Sequence, residues 1–148
     1  MFKNMFKKIS SVKALTDFRL FVCFVAGETA IYDVKPLFSK FPIFKNLSEV
    51  EGLFSCVQVD TGGYGISWNN DIDLSCNELW DNGELIKSPF EGILSFKDAT
   101  NIWGLNESTL RKAVSYGKLI EGVDVRKYGK QWIITKETMI REYNNPVE

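Results

Sequence analysis

The sequence predicts an α+β protein in which a small antiparallel β-rich domain is followed by a winged helix-turn-helix domain. In the amino-terminal part, short runs of β-branched and aromatic residues are separated by glycine-containing turns, a pattern typical of antiparallel strands. Farther along, apolar residues recur at helical spacing before a hairpin pattern returns. We therefore expect a β-rich domain over residues 1–82, a linker over 83–92 and a winged helix-turn-helix domain over 93–148.

The β-rich domain is predicted to contain two hairpins. The first turns at Ala26-Gly27-Glu28 and the second at Thr61-Gly62-Gly63, each between runs with strand character. A helical turn is expected over residues 47–54, with Asn46 or Ser48 as its cap. The predicted strands are residues 9–15, 19–25, 29–33, 56–60 and 64–68, and the remaining short elements are a turn over 69–74 and a helix over 75–80.

The second domain is predicted to begin with a capped helix and a glycine turn. Ser95 and Asp98 have the spacing of an approximate capping box, so a helix is expected to start directly after Ser95. Gly104 supplies the left-handed conformation that ends this helix. Asn106 is the expected cap of the helix that follows.

A second helix and a hairpin complete the predicted domain. Residues 107–116 form the helix, because Leu110, Ala113 and Val114 recur at i, i+3 and i+4 and define one buried face. The later elements are strands over 123–128 and 131–134 around Gly129-Lys130, and a last helix from Thr135 to about Tyr143.

Charge differs between the two parts of the chain. Residues 1–92 hold nine basic and twelve acidic residues, a net charge of -3, whereas residues 93–148 hold nine and seven, a net charge of +2. The positive charge is concentrated in residues 107–132, which hold six basic and three acidic residues. Because the whole chain has a net charge of -1, contact with nucleic acid has to use a local patch.

The order of helix, glycine turn, helix and basic hairpin is that of a winged helix-turn-helix. In this arrangement the first helix braces the second, the second enters the major groove, and hairpin cations contact phosphates. Hydroxyls and cations supply donors for phosphate oxygens and base edges. The predicted DNA-binding residues are Ser108, Thr109, Arg111, Lys112 and Ser115 on the helix over 107–116, and Arg126, Lys127 and Lys130 on the wing over 123–134.

Two segments carry a resemblance to known DNA-binding families. The segment that starts at Leu94-Ser95-Phe96-Lys97-Asp98-Ala99 and runs through Trp103-Gly104-Leu105-Asn106 to Glu107-Ser108-Thr109-Leu110-Arg111-Lys112 resembles the excisionase-like and MerR-like helix-turn-helix families. Gly129-Lys130-Gln131-Trp132-Ile133-Ile134 resembles the end of their wings. The resemblance implies DNA binding through the second helix, but no long coiled-coil helix follows, as regulators of the MerR type would have.

The amino-terminal half is similar to a family of small bacterial domains of uncharacterised function. The similarity lies in Gly27-Glu28 before Ile31-Tyr32-Asp33-Val34, in Val57-Gln58-Val59-Asp60 and in Ile66-Ser67-Trp68-Asn69. It implies a compact β-rich fold. Members are often found beside toxin–antitoxin genes, which implies a partner-binding role.

Composition argues against an enzyme. The chain contains no histidine, which removes the commonest general base and a frequent metal ligand. Its cysteines, Cys23, Cys56 and Cys76, form no CxxC pair, and the glycine-rich residues 61–65 lack the lysine of a phosphate-binding loop. We expect no catalytic residue, metal or cofactor. The longest apolar stretch, residues 20–26, is too short to cross a bilayer, so we expect a cytoplasmic protein with no membrane partner.

The function expected from these patterns is that of a sequence-specific transcriptional regulator, antitoxin-like, with double-stranded DNA as its partner. A single module of this type buries about 600–1,000 Å² on DNA, so a protein partner or self-association through the amino-terminal domain is also expected. The alternative is a module that binds protein rather than DNA, such as an inhibitor from a mobile element. Binding to duplex DNA at two salt concentrations distinguishes the two.

Overall fold

The computed structural model describes residues 7–146, which divide into two compact units, residues 7–89 and 90–146. Both combine antiparallel sheet with helix, so the α+β prediction is confirmed. The first unit contains β1 (Ile9–Ala14), β2 (Arg19–Phe24), β3 (Thr29–Asp33), α1 (Lys35–Lys40), α2 (Asn46–Glu49), β4 (Gln58–Val59), β5 (Gly65–Ser67), β6 (Asp73–Ser75), α3 (Cys76–Asn82) and β7 (Glu84–Ile86). The second contains β8 (Ile93–Ser95), α4 (Phe96–Trp103), α5 (Glu107–Ser115), β9 (Val125–Tyr128), β10 (Gln131–Thr135) and α6 (Lys136–Tyr143).

The larger sheet of the first unit has four antiparallel strands in the order β1-β2-β3-β7. In β2 every second side chain, Leu20, Val22 and Phe24, is buried, because side chains along a strand alternate between the two faces of a sheet. Each of these side chains contributes about 1.5–3 kcal/mol by its burial. The apolar runs that predicted β1, β2 and β3 therefore form one core face of this sheet.

The smaller sheet, in the order β4-β5-β6, contributes to the same core, where aromatic rings interlock. Trp68 stacks on Phe54, with ring centroids 6.0 Å apart, and meets Phe44 edge-on at 6.3 Å. The indole N–H of Trp68 donates to the Phe54 carbonyl at 3.0 Å. The one polar group of this side chain is therefore satisfied inside the core.

Part of the predicted linker is instead a strand. Residues 84–86, assigned to the linker over 83–92, form β7, which pairs antiparallel with β3. All three residues of β7 are exposed, so they show no alternation of buried and exposed positions. Pairing with β3, a contact distant in sequence, defines this strand, and no local pattern predicts it.

The predicted caps of α2 are wrong, since neither Asn46 nor Ser48 caps the helix with its side chain. A 3-10 turn at Pro42–Lys45 runs directly into α2, and the backbone N–H of Asn46 donates to carbonyls of that turn. The Ser48 hydroxyl donates to the Lys45 carbonyl at 2.8 Å. Because the backbone of Lys45 and of Asn46 is already helical, neither Asn46 nor Ser48 lies at a free start of the helix, where a side-chain cap acts.

The second unit has a three-stranded antiparallel sheet in the order β8-β10-β9, with α4 packed against it and α5 and α6 packed against α4. The sequence does not predict strand β8, because it has only three residues and the last of them, Ser95, is also the cap of α4. The buried apolar side chains are Leu94, Phe96, Ala99, Ile102, Trp103, Leu110, Ala113, Leu119, Val125, Ile134 and Met139.

Among residues 7–146, no helix reaches the length and apolar character that crossing a membrane requires.

Candidate nucleic-acid interface

Helix α4 begins after Ser95 and ends at Gly104, as predicted, and Gly104 starts the turn that leads to α5. The Ser95 hydroxyl accepts the backbone N–H of Asp98 at 3.0 Å and caps α4. Gly104 is left-handed, with φ 68° and ψ 32°, and its N–H donates to the Thr100 carbonyl. The Cβ of another residue would strain this conformation, so glycine suits the turn between the helices.

The predicted cap of α5 is only half right. Asn106 occupies the cap position with an extended backbone, and its carbonyl accepts the N–H of Thr109 at 3.0 Å. Its side chain makes no capping bond, so the prediction of a side-chain cap is wrong. The first turn of α5 therefore presents N–H groups that the Asn106 side chain does not occupy.

Helix α5 separates a buried face from a polar one. Leu110 and Ala113 are fully buried, while Val114, predicted to share that face, is half-buried. On the opposite face four exposed residues lie at i, i+3, i+4 and i+7 and therefore share one side of the helix. We call Ser108, Arg111, Lys112 and Ser115 the α5 polar face.

Two of the predicted DNA-binding residues of α5, Thr109 and Ser115, can make fewer contacts with a ligand than the other three. Thr109 is half-buried and lies at the edge of the α5 polar face. The Ser115 hydroxyl donates to the Arg111 carbonyl at 3.2 Å, which leaves its oxygen as an acceptor only. Ser108, Arg111 and Lys112 are exposed.

The β9–β10 hairpin carries the three predicted wing cations. Arg126 pairs with Ile133 across the ladder, and Lys127 pairs with Trp132. Adjacent residues of a strand face opposite sides of the sheet, so Arg126 and Lys127 emerge on opposite faces. Lys130 is exposed in the turn beside Gly129, whose φ is 61°.

The Lys127 side chain lies over an aromatic stack. Its ammonium group is 5.6 Å from the centre of the Trp132 ring, within the range of a cation–π contact. Trp132 in turn stacks on Phe96, the first residue of α4, with centroids 5.6 Å apart and an interplanar angle of 15°. The site prediction does not include Trp132. A hairpin that turns at Gly129-Lys130 places Trp132 across from Lys127, and that pairing is the signal that points to it.

Most cations of residues 107–132 are available to a ligand. Within residues 7–146, none of the five predicted cations forms an ion pair, and all five are exposed. The ammonium group of Lys118, the sixth basic residue, lies 4.2 Å from the centre of the Tyr143 ring of α6 and makes a cation–π contact with it. The local positive charge therefore has two sources, α5 and the hairpin.

The loop before the hairpin is anchored by a buried carboxylate. Asp124 accepts the N–H of Ile120 at 2.9 Å and the guanidinium of Arg141 at 2.6 Å. The guanidinium bond, followed by the backbone bond, holds the pKa of Asp124 below its ordinary value. The anchor joins α6 to the segment that leads into β9.

We expect Asp124→Asn to destabilise the protein at neutral pH and to have little effect in strong acid. A carboxylate whose pKa is lowered by folding stabilises the folded state above its unfolded pKa, ordinarily 3.8, and this stabilisation is lost as pH falls through the folded pKa. Thermal melts of both proteins at about pH 7 and about pH 2 measure the effect. The midpoints should differ at neutral pH and converge in acid, and a gap of equal size at both would contradict the role of the charge.

Comparison with known proteins bears on both units. Residues 9–84 match the family model described as "Protein of unknown function (DUF2442)", and residues 86–145 match one described as "Helix-turn-helix domain". No curated protein matches the chain. The solved structure of the "Putative DNA Binding Protein NE0471 from Nitrosomonas europaea ATCC 19718" is similar at 19% identity and a TM-score of 0.45, over 93% of this chain and 75% of that one.

The match of residues 86–145 to a helix-turn-helix family model confirms the helix-turn-helix domain predicted at the carboxyl-terminal end. The likeness to excisionases and MerR regulators, and the association with toxin–antitoxin genes, stay predictions. The first model covers just over half of the chain. The protein therefore belongs to the DUF2442 family and joins that family's domain to a helix-turn-helix domain.

Proposed function

We propose that the protein is a sequence-specific DNA-binding transcriptional regulator. The α5 polar face enters the major groove of duplex DNA, and the β9–β10 hairpin acts as the wing that contacts the neighbouring backbone. Such a protein works where duplex DNA is accessible, so we infer a cytoplasmic location. Arg111 and Lys112 supply donors that suit guanine edges or phosphate oxygens, and Ser108 supplies a hydroxyl at the amino end of the helix.

The observation that carries the proposal is the α5 polar face itself. Its two cations are exposed and form no ion pair within residues 7–146, directly opposite the buried Leu110 and Ala113. The helix-turn-helix match over residues 86–145 supports the same use of this surface. Residues 90–146 carry nine basic and seven acidic residues, which favours attraction to phosphate.

The amino-terminal unit is proposed to bind protein. Residues 7–89 hold eight basic and eleven acidic residues. The net negative charge of this unit repels the DNA backbone, so we assign DNA binding to the second unit alone. Specific operators usually need more contact area than one winged module provides, and a second copy or a partner supplies it. An antitoxin role requires that this partner be a toxin, and it rests on the family resemblance alone.

A salt titration tests DNA binding. About three to five phosphate contacts predict a plot of log affinity against log salt with a slope between about -2.7 and -4.5, or a loss of about 40- to 500-fold between about 50 and 200 mM salt. Fluorescence anisotropy with a labelled duplex of random sequence measures the slope. Selection from a pool of randomised duplexes then tests sequence preference.

Two results would go against this proposal. If the protein does not bind duplex DNA, or binds it with an affinity that does not change with salt, the alternative function is favoured, in which the helix-turn-helix domain binds protein instead of DNA. Salt-sensitive binding with no sequence enriched in the selection favours a non-specific DNA-binding protein over a regulator.

A further inference from the structure

We propose that the β9–β10 hairpin contacts DNA from one side only, with Lys127 as the phosphate contact, Trp132 as the residue that positions it, and Arg126 outside the interface. This inference rests on the proposed DNA binding and specifies which hairpin side chains take part in it.

The two faces of the hairpin differ in what packs against them. Val125 and its partner Ile134 are buried on one face. Lys127 is two residues from Val125, and Trp132 is two residues from Ile134, so both share that face. Trp132 stacks on Phe96 of α4, so this is the face on which the helices pack. Helix α5 packs against α4, and a duplex that receives α5 therefore lies on the helix side of the sheet.

Arg126 lies on the other face, among apolar side chains. With its partner Ile133 it lines a shallow groove of about 210 Å³, which Ile93, Val123 and Tyr128 also line. Val123 is 78% exposed and Tyr128 is 63% exposed. Because Arg126 lies on the face opposite the helices, its guanidinium group is directed away from the duplex and makes no phosphate contact in this arrangement.

Trp132 gives Lys127 a preferred position before DNA arrives. A free lysine side chain loses rotamer entropy when it is fixed, which weakens any contact it makes. The Trp132 ring, itself stacked on Phe96, attracts the Lys127 ammonium group, which lies 5.6 Å from the ring centre. The Lys127 side chain is therefore already partly ordered in the free protein, and it loses less conformational entropy when it binds DNA.

The test compares Lys127→Ala with Arg126→Ala, two changes that remove the same charge from adjacent positions. In salt titrations on a random duplex we expect Lys127→Ala to lower affinity about 5- to 10-fold at low salt and to make the salt slope shallower by about 1. Arg126→Ala should leave the slope unchanged. An equal or larger change with Arg126→Ala would overturn the inference.

The positioning role is tested by Trp132→Phe and Trp132→Leu. The phenylalanine variant keeps a ring under the ammonium group and should bind within about twofold of the parent, whereas the leucine variant should resemble Lys127→Ala in slope. In the Lys127→Ala background, Trp132→Leu should have no further effect on the slope, and an additive effect would overturn the role. Thermal melts show whether the leucine variant is folded. If it is not, the test uses Trp132→Phe and Trp132→Tyr, which both keep a ring under the ammonium group. Both must then keep the salt slope of the parent protein, and a shallower slope in either would overturn the role.

The outcomes separate this inference from the proposed function. If the parent protein shows no salt-sensitive binding, the proposed function fails. If the parent binds and the hairpin variants do not differ as expected, only the one-sided hairpin fails.

Discussion

Replacing Arg111 and Lys112 together by alanine is expected to lower affinity for duplex DNA about 30-fold or more. A side chain that contacts a base edge is worth about 1–3 kcal/mol, a phosphate contact adds to this, and both residues lie on the α5 polar face. A combined loss of about 2 kcal/mol corresponds to about 30-fold in affinity. Anisotropy titrations at low salt measure the change, and the salt slope should become shallower by about 2.

The matched control is Lys40→Ala with Lys45→Ala. Both lysines are exposed in the amino-terminal unit, and their removal changes the net charge of the protein by the same amount. This control should alter DNA affinity less than about threefold. If it weakens binding as much as the α5 variant does, binding depends on total charge and α5 is not the docking element.

Gly63→Ala is expected to lower the free energy of unfolding by about 3 kcal/mol or more. Gly63 is buried in the turn at Thr61–Gly63, and its φ is 80°, a left-handed conformation that disfavours other residues. A Cβ at this position would also lie 2.6 Å from the carbonyl oxygen of Ile9 in β1, a contact that backbone atoms cannot relieve by rotation. Urea unfolding followed by circular dichroism measures the loss.

Gly52→Ala separates the two causes. Gly52 has the same left-handed φ of 80°, but a Cβ there would meet nothing within 4 Å. It should cost only the conformational strain of about 1–2 kcal/mol. The difference between the variants then measures the close approach to β1, and equal losses would show that backbone conformation alone explains why glycine is needed.

The parts of the fold that follow local rules could be predicted from the sequence. Strand β2 could be predicted because its own residues form an apolar run rich in β-branched and aromatic side chains, a composition that favours strands. The cap at Ser95 and the left-handed Gly104 depend on neighbours within four positions, so their residue types are informative. The polar and buried faces of α5 follow from helical spacing in the same way.

The remaining features depend on contacts between distant segments. Strand β7 forms because it pairs with β3, which is distant in the sequence. The ion pair that anchors Asp124 is made with Arg141, seventeen positions away in the chain, so no local pattern indicates it. The sidedness of the hairpin is a different case: alternation alone separates Arg126 from Lys127, but the site was predicted from charge, which does not distinguish faces. The stack of Trp132 on Phe96 required knowledge of which helix covers the sheet.

The connections made by α6 decide how short a working DNA-binding fragment can be. Met139 of this helix is fully buried, and Arg141 pairs with Asp124 ahead of the hairpin. Just beyond it, the Asn144 carbonyl accepts the indole N–H of Trp103 at the end of α4. A fragment trimmed after β10 would keep every predicted base- and phosphate-contacting side chain and yet lose the contacts that orient them, so a DNA-binding fragment should extend at least through Asn144.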